Sequence, residues 1–212
     1  MTRVRSEDYD SKKQVILDKA AALIARKGFD VATMMDVANA CGTSKSHLYH
    51  YFPSKEDLLY GIVRDHITRQ ADELVRIVAL ALPAEARLQQ FVDSFVSGAA
   101  RERDEHIILM NDLKYLPKAQ LQEVRRLEVR VTELLEGLLH ELNPELMEPQ
   151  RVRKPYALLL YGMMIWTFNW YHRSGEIGPQ ELAVRIAHLF VHGFAAQGPQ
   201  VVAPVKAARR KP

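Results

Sequence analysis

Three helix-start signals crowd into the segment TMMDVANACGTSKSHLYHYFPSKED, from Thr33 to Asp57. Thr33 with Asp36, and Ser54 with Asp57, have the spacing of a capping box, in which a hydroxyl and a carboxylate satisfy backbone amides that a helix start leaves free. Between them Ser44 can cap a further helix. Met34, Val37, Ala38 and Cys41 stand at i, i+3, i+4 and i+7, on one helical face. Gly42 breaks that helix and Pro53 stops the next. Two short helices on a tight glycine turn form a helix-turn-helix. No stretch of the chain shows sustained alternation of apolar and polar residues bounded by turns, so no sheet is expected.

Extended along all 212 residues, the same reading predicts an all-α chain of about nine helices. Ser11 with Gln14 opens the first helix, Ile16, Ala20, Leu23 and Ile24 form one face, and Gly28 ends it. The signal at Ser54 opens a long helix to about Leu82, before Pro83. Later helices are expected over 84–101, 104–115, 118–142, 150–173 and 179–196, separated by RERDE, LPK, NPELMEP and SGEIGP. The result is an N-terminal helix-turn-helix domain, residues 1–55, joined by the long helix to a larger helical domain, residues 56–197. The tail, 198–212, is Pro-rich and basic and reads as disordered.

Charge is unevenly distributed. Residues 1–55 carry nine Lys/Arg against six Asp/Glu, residues 56–197 carry sixteen against twenty, and residues 198–212 carry four against none. A polyanion is therefore met at the front or the tail. The single cysteine, Cys41, allows no intrachain disulfide, which fits a reducing cytosol. The first residues, MTRVRSEDYDSKKQ, lack the apolar core of a signal peptide. The longest apolar run, Tyr156–Trp170, is short for a bilayer span and contains Asn169, so it reads as a buried helix. The expected protein is soluble and cytoplasmic, with no membrane partner. It carries no G-x-S-x-G, G-x-G-x-x-G, phosphate-loop or H-E-x-x-H motif, and no catalytic residue, cofactor or metal is assigned. Cys41 with His47 and His50 lacks a fourth metal ligand, and His188 with His192 shares a stripe with Glu181 and Arg185, the pattern of a polar or interface face.

Projected at about 100° per residue, the helix from Lys45 to Phe52 buries Leu48 and Phe52. Ser46, His47 and His50 fall opposite, with Lys45, Tyr49 and Tyr51 on the flanks. Imidazoles and a hydroxyl suit base edges in a major groove, while a lysine, a tyrosine hydroxyl and helix-terminal amides suit phosphates. Lys55 begins the next helix and can reach the same backbone, and Thr33 starts the preceding one. A merely solvated polar face is the plain alternative, but exposed Tyr and His side chains need a reason.

Gly28-Phe29 followed by TMMDVANACGTSKSHLYHYFPSKEDLL resembles the DNA-binding domain of the tetracycline-repressor (TetR) family over residues 12–62, and the helix layout extends the resemblance to 196. Members usually have a small residue at position 46 and Thr, Ser or Ala at position 47; Ser46 and His47 stand here, which bears on base preference rather than on the fold. The resemblance implies a homodimeric, ligand-responsive transcriptional repressor on a palindromic operator in double-stranded DNA. It places Thr33, Ser44, Lys45, Tyr49 and Lys55 on the DNA backbone, and Ser46, His47 and His50 nearer the bases. MMIWTFNWYHRSGEIGPQELA, from Met163 to Ala183, is similar to acyl-CoA-responsive members, which implies an acyl-CoA thioester such as phenylacetyl-CoA as effector.

The last expected helix is apolar over much of its circumference through Leu182, Ala183, Ile186, Ala187, Leu189, Phe190, Val191 and Phe194, and the 150–173 helix is similar. Such helices need cover on two sides, which predicts a homodimer joined through both. Met110, Met163, Met164, Trp166, Phe168 and Trp170 are candidate pocket walls, with Asn169 and Tyr115 to orient a thioester or carbonyl. Arg101, Arg103, Arg125 and Arg126 are candidates for CoA phosphates at a mouth. For each of these, ordinary core or surface duty is the alternative. Two rival functions stand beside this one. A multidrug-efflux regulator of the same family would want acids among the pocket aromatics, and 158–171 holds none; a non-specific nucleic-acid binder would carry more charge than +3.

Overall fold

Every helix start around the expected helix-turn-helix is closed by its own side chain. Thr33 Oγ1 accepts from the Asp36 amide at 3.1 Å, and the Asp36 carboxylate accepts from the Thr33 amide at 3.0 Å. Ser44 Oγ accepts from the His47 amide at 3.1 Å, and Ser54 Oγ from the Asp57 amide at 2.9 Å. Gly42 makes the turn between the first two of these helices at φ +65°, a left-handed conformation that a β-carbon penalises.

The computed structural model describes residues 2–99, 102–171 and 175–195, all helix and connection with no strand among them. The helices are α1 (Thr2–Lys27), α2 (Met34–Cys41), α3 (Lys45–Tyr51), α4 (Lys55–Val78), α5 (Ala84–Ala99), α6 (Arg103–Asn111), α7 (Lys118–Leu142), α8 (Pro144–Met147), α9 (Gln150–Trp170) and α10 (Pro179–Ala195), with a 3-10 turn at Leu113–Tyr115. The expected tail, 198–212, and Arg101 lie outside the described residues.

The expected 104–115 helix ends at Asn111 ahead of the 3-10 turn, and three other differences from expectation have physical reasons. α1 begins at Thr2, so Ser11 and Gln14 lie inside it, and Gln14 donates to Asp18 at 2.8 Å and to Asp65 at 3.3 Å. No Gly or Pro precedes Ser11 to interrupt the helix. α4 stops at Val78, where the Arg87 guanidinium takes the carbonyls of Val78 at 2.9 Å and Leu82 at 3.0 Å and so satisfies acceptors that the helix end leaves over. α8 is a single turn that periodicity cannot reveal; Asn143 Oδ1 accepts from the Leu146 amide at 3.0 Å, and Pro144 holds its first position.

α1, α2 and α3 make the N-terminal head. α4 contacts α1 in that head and α5, α6 and α7 in the body, and its buried face runs from Leu58 to Ile77. α7 packs on α9, α5 on α10, and α1 also reaches α6. No helix of the described residues is long and apolar enough to cross a membrane. Head and body meet tightly at Gly61 of α4. A β-carbon there would stand 2.9 Å from Phe52 Cε1 and 3.1 Å from Leu17 Cδ2, so α3, α1 and α4 meet without space for a methyl group.

Gly61→Ala is expected to destabilise the fold by about 1–3 kcal/mol through overpacking, despite the roughly 1 kcal/mol that Ala gains over Gly inside a helix. Urea denaturation measures it, and a Phe52→Leu background should recover part of the loss. An unchanged or raised stability for Gly61→Ala would show that the three helices yield freely at this point.

Candidate DNA-binding face and effector cavity

α3 turns Lys45, Ser46, His47, Tyr49 and His50 outward and buries Leu48. That is the split expected from the helical projection, and Ser44 stands exposed at its start. The Ser44 hydroxyl accepts within the cap, which leaves its proton for an outside acceptor. Lys45 Nζ lies 5.7 Å from the Tyr49 ring centroid. Tyr51 is different. It is half-buried, stacks on Tyr9 at 4.7 Å, and meets His47 and His50 edge-on at 5.3 and 5.9 Å. Tyr9 belongs to the early turns of α1, upstream of the start expected at Ser11. The aromatic cluster buttresses the two outward imidazoles.

Thr33 and Lys55 are tied into the protein. The Thr33 hydroxyl donates to Asp36 Oδ2 at 2.9 Å while accepting the Asp36 amide, so no proton remains on it for a phosphate. Lys55 Nζ donates to the carbonyls of Phe29 at 2.8 Å and Ala32 at 3.0 Å and lies 4.3 Å from the Phe29 ring centroid. An ammonium has three N–H bonds, which leaves one to point elsewhere.

In the body, α4, α5, α6, α7 and α9 line a cavity of about 390 Å³. α9 contributes Lys154, Leu158, Tyr161 and Ile165, at i, i+4, i+7 and i+11. α4 contributes Ile67 and Gln70, α5 Phe95, and α6 His106, Leu109 and Met110. Met110, Arg125, Val129 and Lys154 are exposed and mark the mouth; Phe95, His106, Val131 and Tyr161 are buried and mark the floor. Arg125 Nη1 donates to Glu128 Oε2 at 2.9 Å on the rim. A smaller polar cavity of about 160 Å³ adjoins it across Gln70 and Phe95, which line both.

The floor carries two polar groups without a protein partner. His106 is 3% exposed, and neither of its ring nitrogens has a hydrogen bond. Its ring stacks on Phe168 at 3.7 Å and stands 6.0 Å from His66. Burial, with a smaller contribution from His66, pulls its pKa down to about 4, so the imidazole is neutral near pH 7. Tyr161 is 9% exposed, its hydroxyl is unpaired, and Phe91 and Phe95 meet its ring edge-on at 6.0 and 5.9 Å. Burial raises its pKa.

The family model described as "Bacterial regulatory proteins, tetR family" matches residues 16–61, and the one described as "Tetracyclin repressor-like, C-terminal domain" matches residues 81–194. The chain belongs to the TetR family. It is a ligand-responsive transcriptional repressor that binds DNA through its N-terminal helix-turn-helix. The HTH-type transcriptional repressor KstR2 of Rhodococcus jostii is 24% identical over 201 residues, which cover 92% of this chain and 98% of the relative. A TetR-family transcriptional regulator from Bordetella parapertussis is 30% identical at a TM-score of 0.79, with 86% and 95% of the two chains covered. AibR, solved in complex with isovaleryl coenzyme A and operator DNA, shares the fold at a TM-score of 0.72 and 21% identity, with 84% and 97% covered. The first two of these relatives are described as transcriptional regulators.

Against this TetR-family frame, the six effector residues named from sequence scatter. Only Met110 lines the cavity, at its rim. Met163, Trp166 and Trp170 border an open trough on the other side of α9 together with Leu159 and Ile186, and the two tryptophans are 66% and 51% exposed. Asn169 is exposed beside them. Their face of α9 is the outer one, and uniformly apolar residues gave no sign of which face turned inward. Tyr115 sits at the junction of head and body: its ring stacks on Phe29 at 4.7 Å and its hydroxyl donates to Asp30. Met164 and Phe168 are buried in the core. Among the arginines, Arg125 reaches the mouth, while Arg103 and Arg126 are exposed away from it. The residues missed were Lys154, Leu158, Tyr161 and Ile165, whose helical spacing was available, and His106, which follows the charged run RERDE. His188 and His192 stand on the exposed face of α10 with ring centroids 3.9 Å apart.

The depressed titration of His106 has a sign. From pH 6.5 down to about 4 the unfolded chain binds a proton that the folded chain does not, so this group makes stability fall as pH falls through that window. His106→Phe keeps an aromatic ring on Phe168 and should flatten the decline by no more than about 3 kcal/mol. Urea midpoints from pH 7 to pH 4 measure it. Parallel profiles for the two proteins would mean that the imidazole titrates as it does in water.

Proposed function

We propose that this repressor leaves its operator when an acyl-CoA thioester occupies the α4–α9 cavity. The carrying observation is the charge arrangement: apolar walls, Arg125 and Lys154 at the rim, and one lining carboxylate, Glu128, already held by Arg125. An acyl group suits the interior, and CoA phosphates suit the cationic rim. A cationic drug, the effector of a multidrug-efflux regulator, would find no unpaired acid in the interior. The complex of AibR with isovaleryl coenzyme A and operator DNA supports the reading, since the same fold there holds both ligands.

In this reading the head, residues 1–55, meets DNA, and the body, residues 56–197, holds effector and partner. Ser46, His47 and His50 read base edges, and Ser44, Lys45, Tyr49 and the remaining N–H of Lys55 hold phosphates. Thr33 acts through its cap on α2. The work is cytoplasmic, where operator DNA is found. Two copies meet through the outer faces of α9 and α10, where Leu159, Trp166, Trp170, Val184 and Leu189 are all at least half exposed (51–68%). An apolar patch of that kind marks an interface. Phe190 turns the other way, into its own subunit, and is 7% exposed. The dimer sets the recognition helices roughly 34–36 Å apart for successive major grooves.

Two contacts support this reading of release. Ile67 and Gln70 touch the effector from α4, whose first turn carries Lys55, fastened to the head, and whose second carries Gly61, packed against it. Tyr115 and Gln120 are a second route: the hydroxyl holds Asp30, and Gln120 Nε2 donates to Asp57 at 2.7 Å. The effector shifts the head only as far as it binds the DNA-incompetent arrangement more tightly.

Two experiments test this. An operator selected from a random duplex library, bound to the protein and titrated with phenylacetyl-CoA, isovaleryl-CoA and octanoyl-CoA, should be released by at least one thioester. Free CoA and the free acids should not release it. Tyr115→Phe should bind DNA and effector but respond less. If no thioester binds the protein, the effector assignment falls. Separately, Trp166→Glu should sediment as a folded monomer, because the side chain is exposed within one subunit; a helical, dimeric Trp166→Glu would displace the interface from this face.

A further inference from the structure

We propose that His188 and His192 of α10 are half of a transition-metal site, for zinc in the first place, which a second copy of the chain completes with the same two residues. This rests on the dimer reading above, in which the outer faces of α9 and α10 meet, and it adds a ligand to that contact. The two histidines are four positions apart, so a helix sets them one turn apart on one face. Both are exposed, and their ring centroids are 3.9 Å apart. Two imidazole nitrogens on one tetrahedral zinc, each at 2.0–2.1 Å, are about 3.3 Å from each other, so the pair closes on an ion by turning its side chains, with no movement of the helix. The same i, i+4 spacing carries two zinc-binding histidines in the H-E-x-x-H motif.

The surroundings say why the site is shared. Among the described residues no group of three or more His, Cys, Asp or Glu side chains could hold a metal ion. One subunit therefore offers two ligands where a closed zinc site takes four. Projected from Val184 at about 100° per residue, His188 lies at about 40°, His192 at about 80° and Leu189 at about 140°. The pair is thus the centre of a face whose flanks, Val184 and Leu189, are apolar and 54% and 68% exposed. A partner that covers those flanks covers the histidines too, and imidazoles taken from water without partners cost free energy. A twofold contact presents the same patch from both sides. With the histidines at the centre of the patch, pair stands to pair, and an ion between them gives every imidazole a ligand bond. The charge of the stripe allows a cation there. Arg185, one turn before the pair, donates from Nε and Nη2 to Glu181 Oε1 at 3.0 and 2.7 Å, so an acid of the same stripe offsets it. An all-imidazole set suits zinc, copper or nickel, whereas magnesium and calcium want oxygen donors.

The test uses the full-length chain without an affinity tag, stripped of metal by a chelator and titrated with zinc chloride in calorimetry and analytical ultracentrifugation. One zinc ion should bind per two chains. It should tighten the dimer by about ten-fold or more at dilutions that part the subunits, since an ion held only by the dimer stabilises it by mass action. His188→Gln and His192→Gln should each remove most of the zinc binding and of the tightening, while the metal-free variants keep the helix content of the unaltered chain. Cobalt(II) in place of zinc should show the visible bands of a four-coordinate ion and lose them in both variants. One ion per chain, a dimer whose strength zinc does not change, or binding that survives both substitutions overturns the inference. Trp166→Glu separates this inference from the interface it rests on. A monomeric Trp166→Glu protein, beside an unaltered chain that takes up no zinc, leaves the interface standing and removes the shared site. A dimeric Trp166→Glu protein removes the interface from this face and the shared site with it.

Discussion

One helix is shared by the two halves of the molecule. α4 has 24 residues, a rod about 36 Å long at 1.5 Å per residue. Its first turn is fastened to the head by the Lys55 ammonium on two carbonyls, and Gly61 lets α1 and α3 approach without a gap. Its second half, through Ile67 and Gln70, is a wall of the cavity. Arg87 closes its far end. In the proposed mechanism a push at Gln70 is carried along this rod to the base of α3.

The head has other moorings as well. Tyr115 reaches Asp30, Gln120 reaches Asp57, and Gln14 of α1 reaches Asp65 of α4. Asp30 and Phe29 are in the connection between α1 and α2, beside the carbonyls that Lys55 holds. The connection before α2 is thus a meeting point for α4, the 3-10 turn and the head. α2 starts at this meeting point and leads through the turn at Gly42 into α3.

Local signals made the head legible. Caps, glycine turns and a buried leucine act within a few residues, so Thr33, Ser44, Ser54, Gly42 and Leu48 have the roles expected of them. Lys55 and Thr33 also have partners inside the protein that residue type alone does not reveal, the Phe29 and Ala32 carbonyls and the Asp36 carboxylate. The body was legible as helices and hardly at all as a site. α9 is apolar on the side that faces its own core and on the side that faces away, and periodicity does not distinguish two such faces. Trp166 and Trp170 therefore looked like a pocket when they lie on the outer surface. Tyr115 could not be placed either, because Asp30 is 85 positions away in the chain.

Leu158 lines the cavity and also the outer trough of α9. A helix with its side chains is about 10–12 Å across, so a single layer of protein separates whatever fills the cavity from whatever rests on the outer face. In the proposed scheme effector occupancy and subunit association act on the same wall, and wherever a filled cavity changes the affinity between subunits the two are thermodynamically linked. On that scheme a given amount of effector has no single midpoint of action; the midpoint moves with how much protein is present.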